Sequence, residues 1–305
     1  MKQYDLIVAG EINPDLILTG RDLEPRFGQA ETLVEDAVLT AGSSSVIFAC
    51  GAARLGLNVA MVGVIGDDLF GAYMLDMMNS RNVDTSNVII DPHQTTGMSV
   101  ILNRVSDRAI LTHLGAMNAL RAEQVTDELL VQARHLHVAS YFLQTNLQHG
   151  LPDLFQRARR LSLTTSLDTN WDPEEKWTGV GELLERTTVF LPNETEALSL
   201  TGAPTVEVAA KNLADHASIV TVKLGAEGGL AFDGESLHHA PVIPVEVVDT
   251  VGAGDTFDAG FIYGFLKGWS LVRCLHLAVA CSSLSTRTAG GIPGQPDLKE
   301  ALRFL

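Results

Sequence analysis

The sequence Asp249-Thr-Val-Gly252-Ala253-Gly254-Asp255-Thr-Phe-Asp-Ala-Gly260 holds the clearest chemistry in the chain. It follows the β-branched run Pro244-Val-Glu-Val-Val248 and leads into an apolar stretch of helical length, Phe257 to Lys267. Glycines at 252 and 254 permit a tight turn that brings backbone N–H groups close to an anion. Free amides at the positive end of a new helix suit a phosphate. A carboxylate beside a phosphate is repelled by it, so Asp255 makes sense as the base that takes a proton from an attacking hydroxyl. The plainer alternative is an acidic residue favoured by the helix dipole behind a glycine turn. Two common nucleotide motifs are absent: there is no G-x-x-x-x-G-K-[ST], and Gly252-x-Gly254 lacks the third glycine of the dinucleotide fingerprint.

Other polar residues stand where buried strands end. Leu6-Ile-Val-Ala9 reads as a strand of a parallel sheet, and Gly10-Glu-Ile-Asn13-Pro-Asp15 places Asn13 and Asp15 just past its C-terminal edge. Both are also turn formers. Asp168-Thr-Asn170 follows the strand Leu163–Leu167. Asn193 and Glu196 open a helix after Val189–Leu191 with the spacing of a capping box, and their oxygens would equally serve magnesium through water. Lys223 ends the strand Ile219–Val222 and precedes the turn Gly225-Ala-Glu-Gly228, where it could act as a point charge on phosphates.

The supporting elements alternate. Further buried strands are expected at Val59–Ile65 and His135–Ala139, and helices at 42–56, from Asp67 and Asp68 to about Asn79, at 147–161, 253–267 and 271–288. Such alternation predicts an α/β fold, a doubly wound, mostly parallel sheet flanked by helices, in one domain. Short β-rich pieces at about 13–41 and 94–114 interrupt the series as hairpins, the second turning at Asn103–Asp107.

Composition narrows the classes. The 305 residues are 46% hydrophobic and 19% charged, as in a globular protein with a sizeable core. A net charge of −16 argues against nucleic acid or an anionic membrane as partner. Three cysteines in apolar stretches, without a secretion signal or a membrane-length run, point to reduced thiols and a cytoplasmic protein.

The string D-T-x-G-A-G-D-T-F-x-A-G-F resembles the C-terminal signature of the ribokinase, or PfkB-type, carbohydrate kinase family. That resemblance implies a ribokinase-like fold whose two inserted segments form a small β-sheet lid, which often pairs between subunits as a homodimer. It also implies ATP-dependent phosphorylation of a sugar hydroxyl, with Asp255 as base and the amides of Ala253, Gly254 and Asp255, in the turn that Gly252 shapes, as the anion hole. Asn13, Asp15 and Asp168 would meet the sugar. Asn193, Lys223, Gly225, Gly228, Thr250 and Gly254 would meet the nucleotide, with Asn193 and Glu196 supporting Mg2+ and Asp249 a monovalent cation such as K+. Gly42 to Gly56 resembles the family's first signature, but Ser43 stands for its second glycine and Ile47 for its substrate-holding asparagine. Ile47 and the lid residue Met98 would then make the pocket less polar. The serines lack the basic groups of phosphosugar kinases, so an unphosphorylated sugar is expected, although the lid arginines Arg104 and Arg108 could close over a phosphate. A nucleoside kinase and a sugar-binding sensor without phosphotransfer are the alternatives; a nicotinamide oxidoreductase fits least.

Overall fold

A computed structural model describes residues 2–21, 23–104 and 108–305. Its centre is a nine-stranded sheet in the order Leu237–Ala240, Gly229–Phe232, Ile219–Lys223, Val189–Phe190, Thr164–Leu167, His135–Val138, Leu6–Ala9, Val59–Val62 and Val83–Asp84. All neighbours from Ile219–Lys223 to Val83–Asp84 run parallel, while the other two strands add an antiparallel edge. The continuous apolar runs seen in sequence are strands buried on both faces. On one face, helices Ser44–Arg54, Leu69–Ser80, Ala253–Leu266 and Leu271–Ser285 pack a core around Phe48, Met61, Phe257 and Phe261. On the other, Leu151–Arg160 and Val206–Ala214 pack around Ile7, Leu136, Phe155 and Phe190. No helix among the described residues is long and apolar enough to cross a membrane.

Strand His135–Val138 shows how the two faces differ. Leu136 and Val138 enter the second core, whereas His135 and His137 turn to the first. His135 bridges Thr164 and Ser166, each at 2.7 Å, and His137 bonds Ser166 at 2.7 Å and stacks on Phe48. Burial pushes His135 down to about 3 and also lowers His137, so both are neutral members of the sheet.

The interrupting segments form a separate four-stranded sheet, ordered Asp36–Ala41, Pro14–Thr19, Met98–Asn103, Arg108–His113. Its outer pairs are antiparallel and its central pair is parallel. The expected turn at Asn103–Asp107 lies partly outside the described residues. Side chains alternate between faces, so register sorts them into rows. One face carries Thr40, Asp15, Ser99 and Thr112 in a polar row, then Val38, Ile17, Ile101 and Ile110 in an apolar one. A cavity of about 430 Å³ separates part of this face from Asp249, Gly290 and Pro293, so it looks toward the loops beside the Gly252 turn. The opposite face is apolar: Leu39, Leu16, Val100 and Leu111, then Ala37, Leu18, Leu102 and Ala109.

Three expected elements differ. Val59–Ile65 breaks at Gly63 into Val59–Val62 and Val64–Gly66, the second pairing with Ile89–Asp91. A Cβ on Gly63 would lie 2.6 Å from the Gly10 carbonyl, so that strand end admits only glycine. The expected helix at 147–161 is split by Gly150, just before Pro152, into Thr145–Gln148 and Leu151–Arg160. Pro244–Val248 joins no strand; it is tied down instead by Val248 N–H and Asp249 N–H, both donating to the Thr286 carbonyl.

Candidate active site

Helix Ala253–Leu266 begins at Gly252, whose φ of 70° places it in the left-handed region. A Cβ there would stand 2.6 Å from Gly291 Cα and 2.9 Å from Ile47 Cγ2. The turn is braced by Asp249, whose two oxygens accept N–H bonds from Val251 at 3.1 Å and Gly290 at 2.8 Å. Ala253 N–H returns to the Thr250 carbonyl at 3.3 Å, so the three-amide cradle expected from sequence is reduced. The amides of Gly254 and Asp255 have no acceptor among the described residues. Gly254 lies within the helix, and a Cβ on it would make ordinary contact, 3.4 Å, with the Lys223 stem.

Asp255 is 9% exposed at this helix start. Burial first, then the Asp168 and Glu11 charges, push it up to about 7, against the opposing pull of Lys223 and a hydrogen bond from Ser44. Free carboxylates lose their proton near pH 4, so this one can accept a proton at physiological pH.

Lys223 sits beneath the helix start. Its Nζ donates to Asp168 Oδ2 at 2.8 Å and to Asp258 Oδ2 at 3.1 Å. Burial alone would lower this ammonium, but Asp168, Asp258 and Glu196 outweigh it and keep it charged. Asp168 meets Lys223 and the Asn170 N–H, and Lys223 lies between carboxylates close to Gly254. Asp258, overlooked in the motif because it occupies an unspecified position, is the third buried member, with Oδ1 unpartnered. Burial raises its proton affinity strongly.

Asn193 and Glu196 form the reciprocal capping box: Glu196 N–H donates to Asn193 Oδ1 at 2.9 Å and Asn193 N–H to Glu196 Oε2 at 3.0 Å. Burial, reinforced by Asp168, pushes Glu196 up to about 7. Gly225 and Gly228 have φ of 57° and 90°, and a Cβ on Gly228 would strike the Ala240 carbonyl at 2.1 Å. Thr250 lines a cavity of about 510 Å³ with Arg21 and Arg104 from the tip of the small sheet.

On the far side stand Asn13 and Asp15. Asn13 Nδ2 donates to Asp15 Oδ1 at 3.2 Å, and Asn13 Oδ1 is buried without a partner. Burial, then the Glu11 charge, pushes Asp15 up to about 7. Gly42 is required here, because a Cβ would lie 2.1 Å from Asp15 Oδ1. Ser43 occupies a glycine-like φ of 69°; its hydroxyl donates to the Glu11 carbonyl at 2.6 Å and accepts the Val46 N–H, which offsets that strain. Ile47 is 4% exposed and packs under the turn against Gly252 and Gly291, within the core. Met98 lies on the opposite face of the small sheet from Asp15, and Ser99 shares the Asp15 row. Ser44 and Asn170, not singled out from sequence as site residues, meet here: Asn170 Nδ2 donates to Ser44 Oγ at 2.8 Å, and the Ser44 hydroxyl lowers the proton affinity of Asp255.

An amide pair for a charged group and a carboxylate ready for an alcohol proton are the needs of phosphoryl transfer to a hydroxyl. The chain belongs to the pfkB family of carbohydrate kinases, whose family model matches residues 3–298. It is therefore a sugar kinase, a phosphotransferase. The chain is 30% identical to a ribokinase of Lactococcus lactis over 96% of its own length and 94% of that protein. The solved ribokinase of Arabidopsis thaliana, complexed with ribose and ATP, is 26% identical with a TM-score of 0.87, covering 99% of this chain and 98% of that one. An adenosine kinase structure from Sinorhizobium meliloti is 25% identical with a TM-score of 0.86, covering 99% of each chain.

Proposed function

We propose that the protein transfers the γ-phosphoryl group of ATP to a hydroxyl of an unphosphorylated sugar, with Asp255 as the base. The observation that carries this reading is the buried Asp255 carboxylate, pushed up to about 7, at a helix start where two amides are open. Asp255 accepts the hydroxyl proton as the oxygen attacks. The Gly254 and Asp255 amides, with Gly252 shaping the turn, meet charge developing on the transferred group. Lys223, beneath Gly254, adds positive potential while it neutralises Asp168 and Asp258. Asn13 and Asp15 fix sugar hydroxyls from one side, Ser44 and Asn170 from the other, and the Asp15 row of the small sheet closes over them as a lid. Gly225, Gly228 and Thr250 border the nucleotide.

Among the described residues no group of three His, Cys, Asp or Glu could cage a metal. That donor set fits Mg2+ carried mainly by phosphates and water, with Asn193 and Glu196 beyond its water shell. When bound it would neutralise phosphate charge. Asp249 keeps lone pairs beyond its two N–H bonds, so K+ could share it and stiffen the turn. The apolar outer face of the lid fits a second copy of the chain in a homodimer.

A nucleoside is the second substrate reading. The polar row beside Asp15 is followed by the apolar row Val38, Ile17, Ile101 and Ile110, which suits a molecule with one hydroxylated end and one apolar end. A screen of ADP release over pentoses, ketohexoses, acid sugars, nucleosides and fructose 6-phosphate tests the reading. Highest turnover on a neutral sugar supports it; highest turnover on a nucleoside selects the second reading. Fastest turnover on the phosphosugar, or none on any acceptor, overturns both.

A further inference from the structure

Glu11 is 2% exposed and lies directly behind the strand Leu6–Ala9, between the two halves of the site, yet the chemistry above gives it no task. Glutamate is almost never so deeply buried without a partner. No cation bridges it among the described residues; its partners are neutral donors. Ser45 N–H reaches Oε1 at 3.2 Å, Ser45 Oγ reaches Oε2 at 2.6 Å, Ser140 Oγ reaches Oε1 at 2.9 Å and Gln144 Nε2 reaches Oε2 at 3.2 Å. Ser43 Oγ, also near Oε1 at 3.2 Å, has its shorter bond to the Glu11 carbonyl. Knitting the strand end to the helix and to the loop after Val138 would account for some of these bonds. It does not account for where the Ser140 branch leads.

Ser140 has one hydroxyl proton, and the carboxylate can only accept. That proton therefore goes to Glu11, and Ser140 Oγ accepts from Asn170 Nδ2 at 3.0 Å. The other proton of the same amide goes to Ser44 Oγ at 2.8 Å. Ser44, having accepted, keeps its own proton, and its hydroxyl favours the ionised form of the neighbouring Asp255. The Glu11 carboxylate at one end and the amide in the middle fix the proton order from Ser44 to Glu11. Asn170 is held in this post at a left-handed φ of 54°, a conformation that asparagine adopts more readily than most residues with a side chain.

We infer that Glu11 is a positioning residue for phosphoryl transfer, holding Ser140 and Asn170 so that the Ser44 hydroxyl points at the Asp255 carboxylate. This inference rests on Asp255 being the base. Glu11 also acts on Asp255 through space, its negative charge raising the proton affinity that Asp168 and burial raise and that Lys223 and Ser44 lower. Asp258 is the remaining charged neighbour of Asp255, and it stays fixed in the variants below.

Charge and hydrogen bond can be separated. Glu11→Gln removes the charge but keeps an oxygen for Ser140; Ser140→Ala keeps the charge and cuts the chain. Each is assayed for ADP formation over a range of ATP concentrations up to saturation, with D-ribose or whichever sugar in the screen above turns over fastest, across pH 5 to 9. Ser140→Ala is expected to lower kcat by about tenfold, the scale of a lost orienting contact, with the KM for ATP unchanged. Its acid limb should move to higher pH, since Asp255 loses a donor that favours its ionised form. In Glu11→Gln the acid limb should move the other way, to lower pH. A role confined to holding the fold together would not displace the limbs in opposite directions. Folded variants with wild-type limbs and kcat overturn the inference; if Glu11→Gln does not fold, wild-type behaviour in Ser140→Ala alone overturns it. An inactive Asp255→Asn beside an unaffected Ser140→Ala would retain the base and discard the Glu11 role, so the two failures are distinguishable.

Discussion

Asp255 and Asp15 are both pushed up to about 7, mainly by burial, and face the site from opposite sides. Asp255 must be ionised to accept a proton, so kcat/KM should fall as pH drops below about 7, the value for Asp255. Asp15 behaves differently, because it binds hydroxyls and transfers nothing. Asp15→Asn keeps hydrogen-bonding size and removes the titration. Its KM for the sugar should rise by about tenfold, the worth of one charge-assisted hydrogen bond, while the acid limb of kcat stays in place. Loss of that limb in Asp15→Asn would assign it to the wrong carboxylate. These two aspartates drew notice in sequence for local reasons: Asp15 follows the buried strand Leu6–Ala9, and Asp255 opens a helix behind a glycine turn. Glu11 and Asp258 were not, since their meaning comes from partners brought together by the fold, Ser140 and Lys223. A buried carboxylate and a surface one look alike until the elements above them are placed.

At the level of elements, the demanding glycine is Gly252 and not Gly254. Gly252→Ala forces a side chain into Gly291 and Ile47 at a left-handed φ and should displace the helix start, lowering kcat by about a hundredfold, the scale of one lost oxyanion donor. Gly254→Ala adds a methyl at ordinary contact distance in a helix and should fold with unchanged or raised thermal stability. Equal damage from both in a kinetic and thermal-melt comparison would contradict this geometry. The strand and helix order, and the two hairpin segments, could be read from periodicity. Parity in the lid could not: whether Met98 or Ser99 shares a face with Asp15 depends on a pairing between strands more than eighty residues apart. Ile47 is a related case, an apolar residue at a familiar spacing whose side chain supports the turn from below.

For the whole molecule, the apolar outer face of the lid and the buried acid cluster set the expectations. Leu111 is 60% exposed in the centre row of that face, and its neighbours Leu39, Leu16 and Val100 are apolar. A contiguous patch of this kind marks an association surface. Leu111→Glu should convert a dimer to a monomer in sedimentation; a wild-type chain that sediments as a monomer at assay concentration would refute pairing through the lid. Stability should also carry the signature of Asp255. Between about pH 4, where a free aspartate titrates, and about 7, the folded state keeps a proton that the unfolded chain has lost. Raising the pH through that window therefore costs stability, and above it the cost is constant. Relative to wild type, the melting temperature of Asp255→Asn should rise from pH 4 to 7 and then level off. A difference that does not change with pH would mean that Asp255 is ionised throughout.

The central claim is that the Asp255 carboxylate takes the proton of the attacking hydroxyl, and Asp255→Asn addresses it without altering the size of the side chain. Steady-state turnover and equilibrium ATP binding should be measured on the same preparation. In Asp255→Asn kcat should fall ~10²–10⁴-fold, the span of general-base loss, with ATP affinity retained or tightened because a negative charge near the γ-phosphate has gone. A variant that keeps more than about a tenth of wild-type kcat, well above that span, would show that Asp255 only begins a helix.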